Sequence, residues 1–426
     1  MKPEKRSLTL GFIPLTDCAP IVIAQELGYF AVEGLNVALS REASWATLRD
    51  KLSLGILDAA HMLAPMPIAS TLGLSGFARP MVTALSLGVN GNAVTVSSAL
   101  YARMLEADFA AAVDPRLSAR ALQRVIEIDR REGREPMTFA MVFPFSMHNY
   151  ELRYWLASAG IDPETDIRPV VVPPAQMVAN LRAGTIDGCC VGEPWNLLAR
   201  AEGIGRTVVT GQDIWRNKPE KVLAVGREWA ERHPRTHQAL LRALIRAARW
   251  LDDPVNGEHA AALLSAPGYI GVDATLIAAS LPGAEQPDRA PDRNGRPVVN
   301  PSCFFASAAT FPWRSHAMWI LTQMYRWGQL EQPVDIGALA GSVYLGGLYR
   351  EVAAQIGIDA PAIDVKIEGA HSEPWTLPEA AHPIAMAPDT FMDGRQFDPA
   401  HCVEYLQAFD IRALRTGIDA GAAANQ

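Results

Sequence analysis

The residue types that most often carry out catalysis form no recognisable constellation in this chain. Nine histidines and 46 acidic residues are present, so chance combinations of histidine, carboxylate and serine are inevitable. The nucleophile motif G-x-S-x-G, the phosphate-binding P-loop, the zinc motif H-E-x-x-H and a paired Cys-x-x-Cys are all missing. We therefore expect no catalytic residues, no metal and no cofactor, and we predict that the protein is not an enzyme.

The cysteines also give no sign of a reactive site. Their number is odd and their spacings match no zinc site or disulfide framework; they are Cys18, Cys189, Cys190, Cys303 and Cys402. The adjacent pair lies in the sequence TIDGCCVG, where a buried strand requires small apolar residues. We predict reduced, structural thiols, with redox sensing by the adjacent pair as the alternative.

Helix starts are the other places where this sequence could bind a ligand. Asp17, Ser44 and the Pro173-Pro174 pair each stand where a helical pattern begins. The first backbone amides of a helix have free N–H groups and a partial positive charge, which suit an anion. Each position is explained equally well as an ordinary helix cap, so these patterns alone neither establish nor exclude an anion site.

Composition and charge narrow the class of protein. Of the 426 residues, 49% are hydrophobic and 20% are charged, which is enough apolar sequence for two or three lobes with cores of their own. The formal net charge of −8 offers no basic surface for nucleic-acid phosphates. No uninterrupted apolar stretch reaches the roughly 18 residues of a membrane span. We expect a soluble globular protein that contacts neither nucleic acid nor membrane directly.

The order of the predicted elements indicates an α/β fold. Short apolar strands alternate with helical patterns through the first half of the chain, beginning with LTLGFIPL at 8–15, and this predicts largely parallel sheets. Ligands of such sheets bind at the carboxyl ends of the strands. After about residue 227 long helical stretches follow, which we expect to pack back on the first lobe; a third domain is the alternative. The stretch 282–302 predicts a surface loop, and 416–426 a frayed end.

Six segments of the chain resemble one known family. They are 19–37, 43–67, 150–163, 171–196, 218–225 and 315–328. Together they are similar to the nitrate and bicarbonate solute-binding proteins of ABC transporters, and PPAQMVAN and CVGEPWN are the most specific motifs. The resemblance implies a bilobal venus-flytrap fold, periplasmic-binding-protein type II, with an anion held between the lobes. It implies a first lobe of 1–93 plus 227–426, which includes extra C-terminal helices, and a second lobe of 94–226.

Four positions match those with which this family contacts nitrate. By this resemblance Trp45 presents an indole N–H and a flat wall, His148 a ring N–H, and Lys221 the counter-charge. Where nitrate-binding relatives have glutamine this chain reads VNGNAVTV; we place Asn92 there, with Asn90 as the alternate. Asparagine keeps the amide donor but is one methylene shorter. The alternatives are a core tryptophan, a structural histidine and a solvated lysine.

The resemblance also bears on ligand and role. The bicarbonate branch has an acidic residue at the position of Lys221 and recruits calcium, so the lysine favours nitrate or nitrite without metal. The start, MKPEKRSLTLGFIPL, predicts a first strand rather than a secretory leader, and we therefore predict a cytoplasmic location. The chain then resembles NasS-type nitrate sensors, which sequester a NasT-type RNA-binding antitermination regulator and release it when the anion binds. The alternative is a periplasmic or lipid-anchored receptor of a nitrate or bicarbonate ABC transporter.

One segment is a candidate surface for such a partner. Residues 112–136, AVDPRLSARALQRVIEIDRREGREP, form a charged amphipathic pattern that is longer than expected for the transporter relatives. A solvated surface helix is the alternative.

Overall fold

The structure, a computed structural model, describes residues 2–74, 76–285 and 299–412. In this part of the chain the strands are β1 (Ser7–Phe12), β2 (Asn36–Arg41), β3 (Ala59–Leu63), β4 (Met81–Ser86), β5 (Asn92–Ser97), β6 (Thr138–Met141), β7 (Arg168–Val171), β8 (Gly188–Gly192), β9 (Gly205–Thr210), β10 (Lys221–Gly226), β11 (Trp375–Leu377) and β12 (Ile384–Met386). Most of the predicted loop at 282–302 and all of the predicted frayed tail at 416–426 lie outside the described residues.

Helices cover these strands. They are α1 (Ala19–Glu26), α2 (Tyr29–Val32), α3 (Trp45–Ser53), α4 (Met66–Leu72), α5 (Ser98–Ala107), α6 (Phe109–Ala112), α7 (Ser118–Arg131), α8 (Met147–Ser158), α9 (Met177–Ala183), α10 (Trp195–Ala201), α11 (Gly211–Ile214), α12 (Arg227–Arg232), α13 (Pro234–Leu251), α14 (Gly257–Leu264), α15 (Ala274–Ser280), α16 (Arg314–Arg326), α17 (Ile336–Val343), α18 (Gly346–Gln355) and α19 (Cys402–Gln407). None of these helices is long and apolar enough to cross a membrane.

The two large sheets share one design. Their strand orders are β2-β1-β3-β10-β4 and β7-β6-β8-β5-β9, and β11 and β12 form a separate hairpin. In each large sheet three parallel strands are followed by a strand that runs antiparallel, which is β10 in the first sheet and β5 in the second. The chain therefore crosses between the sheets twice, after β4 and after β9. The α/β prediction with two sheets is confirmed, and each sheet is mixed rather than wholly parallel.

The return to the first sheet comes earlier than the predicted lobe boundary at 227. Strand β10 was assigned to the second lobe, but it pairs with β3 and β4 of the first sheet. Its sequence, KVLAVG, looks like one more strand of the preceding α/β series, and no composition change marks the crossing. The other change of sheet, at β5, begins at Asn92, close to the predicted 93.

The helices after β10 contact both sheets. Helix α13 packs against α1 and α18 and buries Leu240 and Leu244 in the first core. Helix α16 reaches the second lobe, since the ring of Trp319 lies edge-on to Tyr150 of α8 with centroids 6.5 Å apart. The Tyr150 hydroxyl donates to Oε1 of Gln329 at 2.8 Å. These helices were expected to pack back on the first lobe; α13 does so, and α16 also reaches the second lobe.

The segment 112–136 and the cysteines have structural explanations. Helix α7 buries Leu122 and Val125, while Arg124 pairs with Asp108; this is the arrangement of a surface helix. Among the described residues the cysteines are free thiols. Those of β8 are enclosed, and burial raises the pKa of Cys189 to about 12, as expected for structural rather than reactive thiols.

Close packing of β8 makes one substitution informative for stability. An ideal Cβ on Gly188 would lie 2.5 Å from Cε1 of Phe139, a ring fully buried on β6. We expect Gly188→Ala to lower the free energy of unfolding by about 1 to 3 kcal/mol because the ring has no space to withdraw. Gly257→Ala is the control, since nothing lies within 4 Å of its added Cβ. Urea unfolding measures both, and equal stabilities would contradict the packing argument.

Candidate functional site

Buried polar side chains from both lobes meet where the chain crosses between the sheets. We call this group the buried ionic cluster; its members are Asp17, Trp45, His61, Asn92, His148, Glu151, Lys218, Glu220 and Lys221. All of them except Asp17 are at most 3% exposed. Burying so many charged groups is unfavourable unless they are paired, so their arrangement determines what the cluster can bind.

Helix caps and strand ends position these side chains. The hydroxyl of Ser44 accepts the Thr47 N–H and starts α3 at Trp45, and Ser146 does the same for α8, whose second residue is His148. His148 and Glu151 lie three residues apart and so share one face of α8. Asn92 opens β5, and Lys221 opens β10 directly after the second crossover. Elements of the two sheets therefore present side chains to one another.

Lys221 connects the first-lobe members. Its Nζ lies 2.6 Å from Oδ2 of Asp17 and 2.5 Å from Oε1 of Glu220, and 5.5 Å from the centre of the Trp45 indole ring. Burial raises the pKa of Asp17, but the charge of Lys221 and the polar contact with His61 outweigh it and hold that pKa well below its usual range. The ammonium is thus paired on one side and faces an aromatic wall on another.

Glu220 joins the two lobes at the centre of the cluster. It accepts hydrogen bonds from Lys218 and Lys221 and from Nδ2 of Asn92 at 2.5 Å. Nδ1 of His148 lies 3.4 Å from its Oε1. Burial raises the pKa of Glu220, but the charges of Lys218 and Lys221 bring it down to about 2, so Glu220 is ionised at neutral pH.

Glu151 is bonded less completely than Glu220. Its Oε1 lies 2.5 Å from Nζ of Lys218 and accepts from Nδ2 of Asn92 at 3.1 Å, whereas its buried Oε2 has no hydrogen-bond partner. Burial raises its pKa to about 7, and the charge of Lys218 offsets only part of that effect. The same lysine serves both glutamates, and their charges outweigh burial and raise the pKa of Lys218.

The two histidines of the cluster are neutral at physiological pH. Nδ1 of His61 accepts the Ile13 N–H at 3.4 Å, and its Nε2 lies 3.0 Å from Oδ1 of Asp17 without hydrogen-bond geometry. Burial lowers the pKa of His61 and lowers that of His148 to about 3. Within the described part of the chain, both ring nitrogens of His148 lack a hydrogen-bond partner, as does Nε1 of Trp45. Buried donors without partners are rare, and these belong to cluster residues from opposite lobes.

The four residues singled out by the sequence therefore come together, although the amide donor of one of them is already used in this structure. The ammonium of Lys221 lies over the ring of Trp45, and Nζ of Lys221 and Nδ1 of His148 both lie near Oε1 of Glu220. Both amide hydrogens of Asn92 are used by Glu151 and Glu220. The alternate, Asn90, donates to the Pro301 carbonyl oxygen at 2.8 Å. Neither asparagine has a free donor for an anion.

Most of the ionic partners were not predicted. Asp17 was noted only as a helix start, and His61, Glu151, Lys218 and Glu220 were not singled out. A signal was present in KPEK at 218–221, where two charged residues directly precede a buried strand and a third opens it. Long-range pairing of these charges with α8 depends on the crossover, which the sequence does not mark.

Direct contacts close the cleft beside the cluster. The Thr16 N–H donates to the Glu193 carbonyl oxygen at 2.8 Å, and Nε1 of Trp195 donates to the Pro14 carbonyl oxygen at 3.1 Å. The Glu193 carboxylate accepts the Leu197 N–H at 3.1 Å, and burial raises its pKa to about 7. These bonds give Glu193 a structural role at the edge of the second lobe. A small cavity between the loops is lined by Asp17, Glu193, Glu220 and Lys221 among others.

Comparisons with known proteins identify relatives of the whole chain. The NMT1-like family model matches residues 1–265. The nitrate/nitrite binding protein NrtA of Synechococcus elongatus is 34% identical over 97% of this chain and 88% of its own. The bicarbonate transport ATP-binding protein CmpC of Synechocystis is 40% identical over 84% of this chain. The matched region spans only 51% of the length of CmpC. The crystal structure of the periplasmic nitrate-binding protein NrtA from Synechocystis superposes with a TM-score of 0.81 at 30% identity, covering 96% of this chain and 100% of the other.

These relatives contradict the predicted cytoplasmic location. The NrtA whose structure covers nearly the whole chain is a periplasmic protein. The prediction depended on Ser7–Phe12 being a strand, which it is, but a first strand at this position is compatible with either location. The predicted antitermination partner depended on the same argument and is not supported by any of these relatives. Homologues with this fold bind solutes, which agrees with the absence of a catalytic motif from the sequence.

Proposed function

The chain belongs to the NMT1-like family, with NrtA among its relatives over nearly its full length, and on this premise we propose that it is a nitrate- or nitrite-binding protein of an ABC transporter. The observation that carries the proposal is the pair of buried donors without partners, Nε1 of Trp45 and the ring of His148, beside the ammonium of Lys221. An oxyanion of one negative charge satisfies donors of this kind without a metal.

In this proposal each residue has a defined role. The indole N–H of Trp45 and one ring N–H of His148 donate to the anion oxygens, and Lys221 supplies positive charge in a site shielded from water. Asn92 orients Glu151 and Glu220 rather than donating to the anion, which replaces the donor role expected from the sequence. Because Trp45 and Lys221 belong to the first lobe and His148 to the second, the anion bridges the lobes.

Bridging explains how binding changes the shape of the protein. The lobes must separate at the contacts made by Thr16 and Trp195 before an anion can reach donors that are buried in this structure. Binding then favours the closed arrangement over the open one, and a transporter that recognises the closed form distinguishes loaded from empty receptors. A cytoplasmic sensor would use the same closure of the lobes, but the periplasmic relative favours the alternative, a receptor of a transporter.

Bicarbonate is the second candidate ligand. Among the described residues, three buried acceptors of the cluster have no hydrogen-bond partner: Oδ1 of Asp17, Oδ1 of Asn92 and Oε2 of Glu151. Bicarbonate carries an O–H that could donate to such an oxygen, whereas nitrate carries none. The 40% identical relative is a bicarbonate transport protein. Nitrate remains our proposal because the ammonium of Lys221 already provides the positive charge that a divalent cation would otherwise supply.

Calorimetric titration of the purified chain with nitrate, nitrite and bicarbonate, each with and without calcium, tests the proposal. We expect nitrate or nitrite to bind without calcium. Binding of bicarbonate alone, or binding of bicarbonate that requires calcium, would assign the site to the second candidate. If none of the three anions binds, the proposed function is wrong.

The Trp45→Phe variant tests whether the site is the one described. Phenylalanine keeps the aromatic wall beside Lys221 and removes only the N–H. We expect nitrate to bind about 10- to 100-fold more weakly, as for the loss of one hydrogen bond to a charged group. Trp250→Phe is the control, since its ring packs on His259 of α14, outside the cluster. An unchanged nitrate Kd in Trp45→Phe would remove Trp45 from the site.

A further inference from the structure

The buried ionic cluster contains more carboxylates than ammonium groups. Among the described residues, the ammonium groups that Asp17, Glu151 and Glu220 face are those of Lys218 and Lys221, and both histidines of the cluster are neutral. The site therefore has an excess of negative charge before any anion binds. Adding a further negative charge to so enclosed a site is strongly unfavourable unless it is compensated.

Glu151 is the carboxylate in excess. Lys221 is shared by Asp17 and Glu220, and Lys218 by Glu220 and Glu151. Asp17 also has Nε2 of His61 3.0 Å away and a side chain that is 16% exposed, whereas the buried Glu151 has only the shared Lys218 as a charged partner among the described residues. Its Oε2 has no hydrogen-bond partner and lies against Gly211, where an added Cβ would be 2.7 Å away. Burial has already raised the pKa of Glu151 to about 7, and a new neighbouring anion raises the pKa of a carboxyl further.

The other groups near Glu151 are less suited to accept a proton. His61 uses Nδ1 to accept the Ile13 N–H, so a proton there would break that bond. His148, on the same helix, faces Glu220 with its pKa lowered to about 3 by burial. Cys190 of β8 is a thiol whose pKa burial raises well above the usual range, so it is already protonated. Lys218 from the crossover carries its full complement of protons.

We propose that each nitrate enters the site together with one proton, and that Glu151 holds this proton. The inference rests on the proposed function and specifies the form of the ligand: the site takes up an anion and a proton as a pair. Protonation at Oε2 leaves Lys218 paired with Glu220 and keeps Oε1 as an acceptor for Asn92. Nitrate then binds to a cluster without an excess carboxylate.

Proton uptake can be measured directly. Calorimetric titration with nitrate in buffers of different ionisation enthalpy, from about pH 6 to about pH 9, gives the number of protons bound per nitrate. For the wild-type chain we expect uptake to approach one above about pH 8, with Kd rising about tenfold per pH unit there. Glu151→Gln mimics the protonated side chain, so we expect nitrate binding with no uptake and a Kd that is independent of pH.

Glu368→Gln provides a matched control, because Glu368 is an equally buried glutamate paired with Lys366 away from the cluster. It should keep wild-type uptake. Infrared difference spectra of the wild-type chain provide an independent measurement. The carbonyl band of a protonated carboxylic acid should grow when nitrate binds, and this measurement does not depend on whether any variant folds. If nitrate binds without proton uptake, or if proton uptake persists in Glu151→Gln, this inference is wrong but the proposed function is not affected. Absence of nitrate binding by the wild-type chain overturns the proposed function itself.

Discussion

Replacing Lys218 with methionine is expected to lower the free energy of unfolding by about 3 to 5 kcal/mol at neutral pH. Lys218 is fully buried and contacts both Glu151 and Glu220. Methionine fills a similar volume but leaves two buried carboxylates facing each other with only Lys221 nearby. The loss of stability comes from uncompensated buried charge and not from a cavity. Urea unfolding of the two chains measures it.

The pH dependence distinguishes charge from packing. In the wild-type chain the pKa of Glu220 is lowered, so its contribution to stability is present above its unfolded pKa and is lost as pH falls. In Lys218→Met we expect the folded pKa of Glu151 and Glu220 to lie above the unfolded values, so the variant loses stability as pH rises. The deficit should therefore shrink from about pH 7 to about pH 4.5.

Two further variants complete this test. Adding Glu151→Gln to Lys218→Met removes one excess carboxylate and should recover part of the lost stability, which a double-mutant cycle measures as coupling. Lys51→Met is the control, because Lys51 pairs with Glu42 at a partly exposed position and should matter far less. A deficit that is independent of pH and is not relieved by Glu151→Gln would mean that Lys218 acts through packing alone.

The sequence predicted the fold better than the details of its topology. Alternating apolar strands and helical patterns predicted α/β lobes because side-chain periodicity reflects which face of an element is buried. The position of β10 was missed, since a strand that returns to the first sheet has the same apolar sequence as one that continues the second. Contacts of α16 with Tyr150 were missed for a related reason, because periodicity shows that a helix has a buried face but not what covers it.

For the candidate site too, the sequence predicted which residues meet but not how they are hydrogen-bonded. Family resemblance located Trp45, His148 and Lys221, which do converge in the cluster. It could not indicate that the amide of Asn92 is used by Glu151 and Glu220, because hydrogen-bond partners distant in sequence depend on the packed structure. The location was wrong for a different reason: a strand near the start of a sequence carries no information about the compartment in which the protein acts.

Replacing Lys221 with methionine should have the largest effect on the ligand. Nζ of Lys221 contacts Asp17 and Glu220, so the substitution removes the ammonium nearest to Trp45 and leaves both carboxylates turned toward the proposed anion. Lost attraction and new repulsion act in the same direction. We expect nitrate to bind about 1,000-fold more weakly, which corresponds to about 4 kcal/mol. Calorimetry measures this change directly.

Lys366→Met shows whether such a loss is specific. Lys366 is also buried and lies between two carboxylates, Glu368 and Asp389, but this group is outside the cluster, so its loss should reduce stability without changing the nitrate Kd. Thermal unfolding with and without nitrate then separates the two effects, since a ligand stabilises only a fold that binds it. Lys221→Met should unfold at the same temperature in both conditions, while Lys366→Met should keep the nitrate-induced increase. If nitrate still stabilises Lys221→Met as much as the wild-type chain, Lys221 is a structural partner of Asp17 and Glu220, and the anion binds elsewhere.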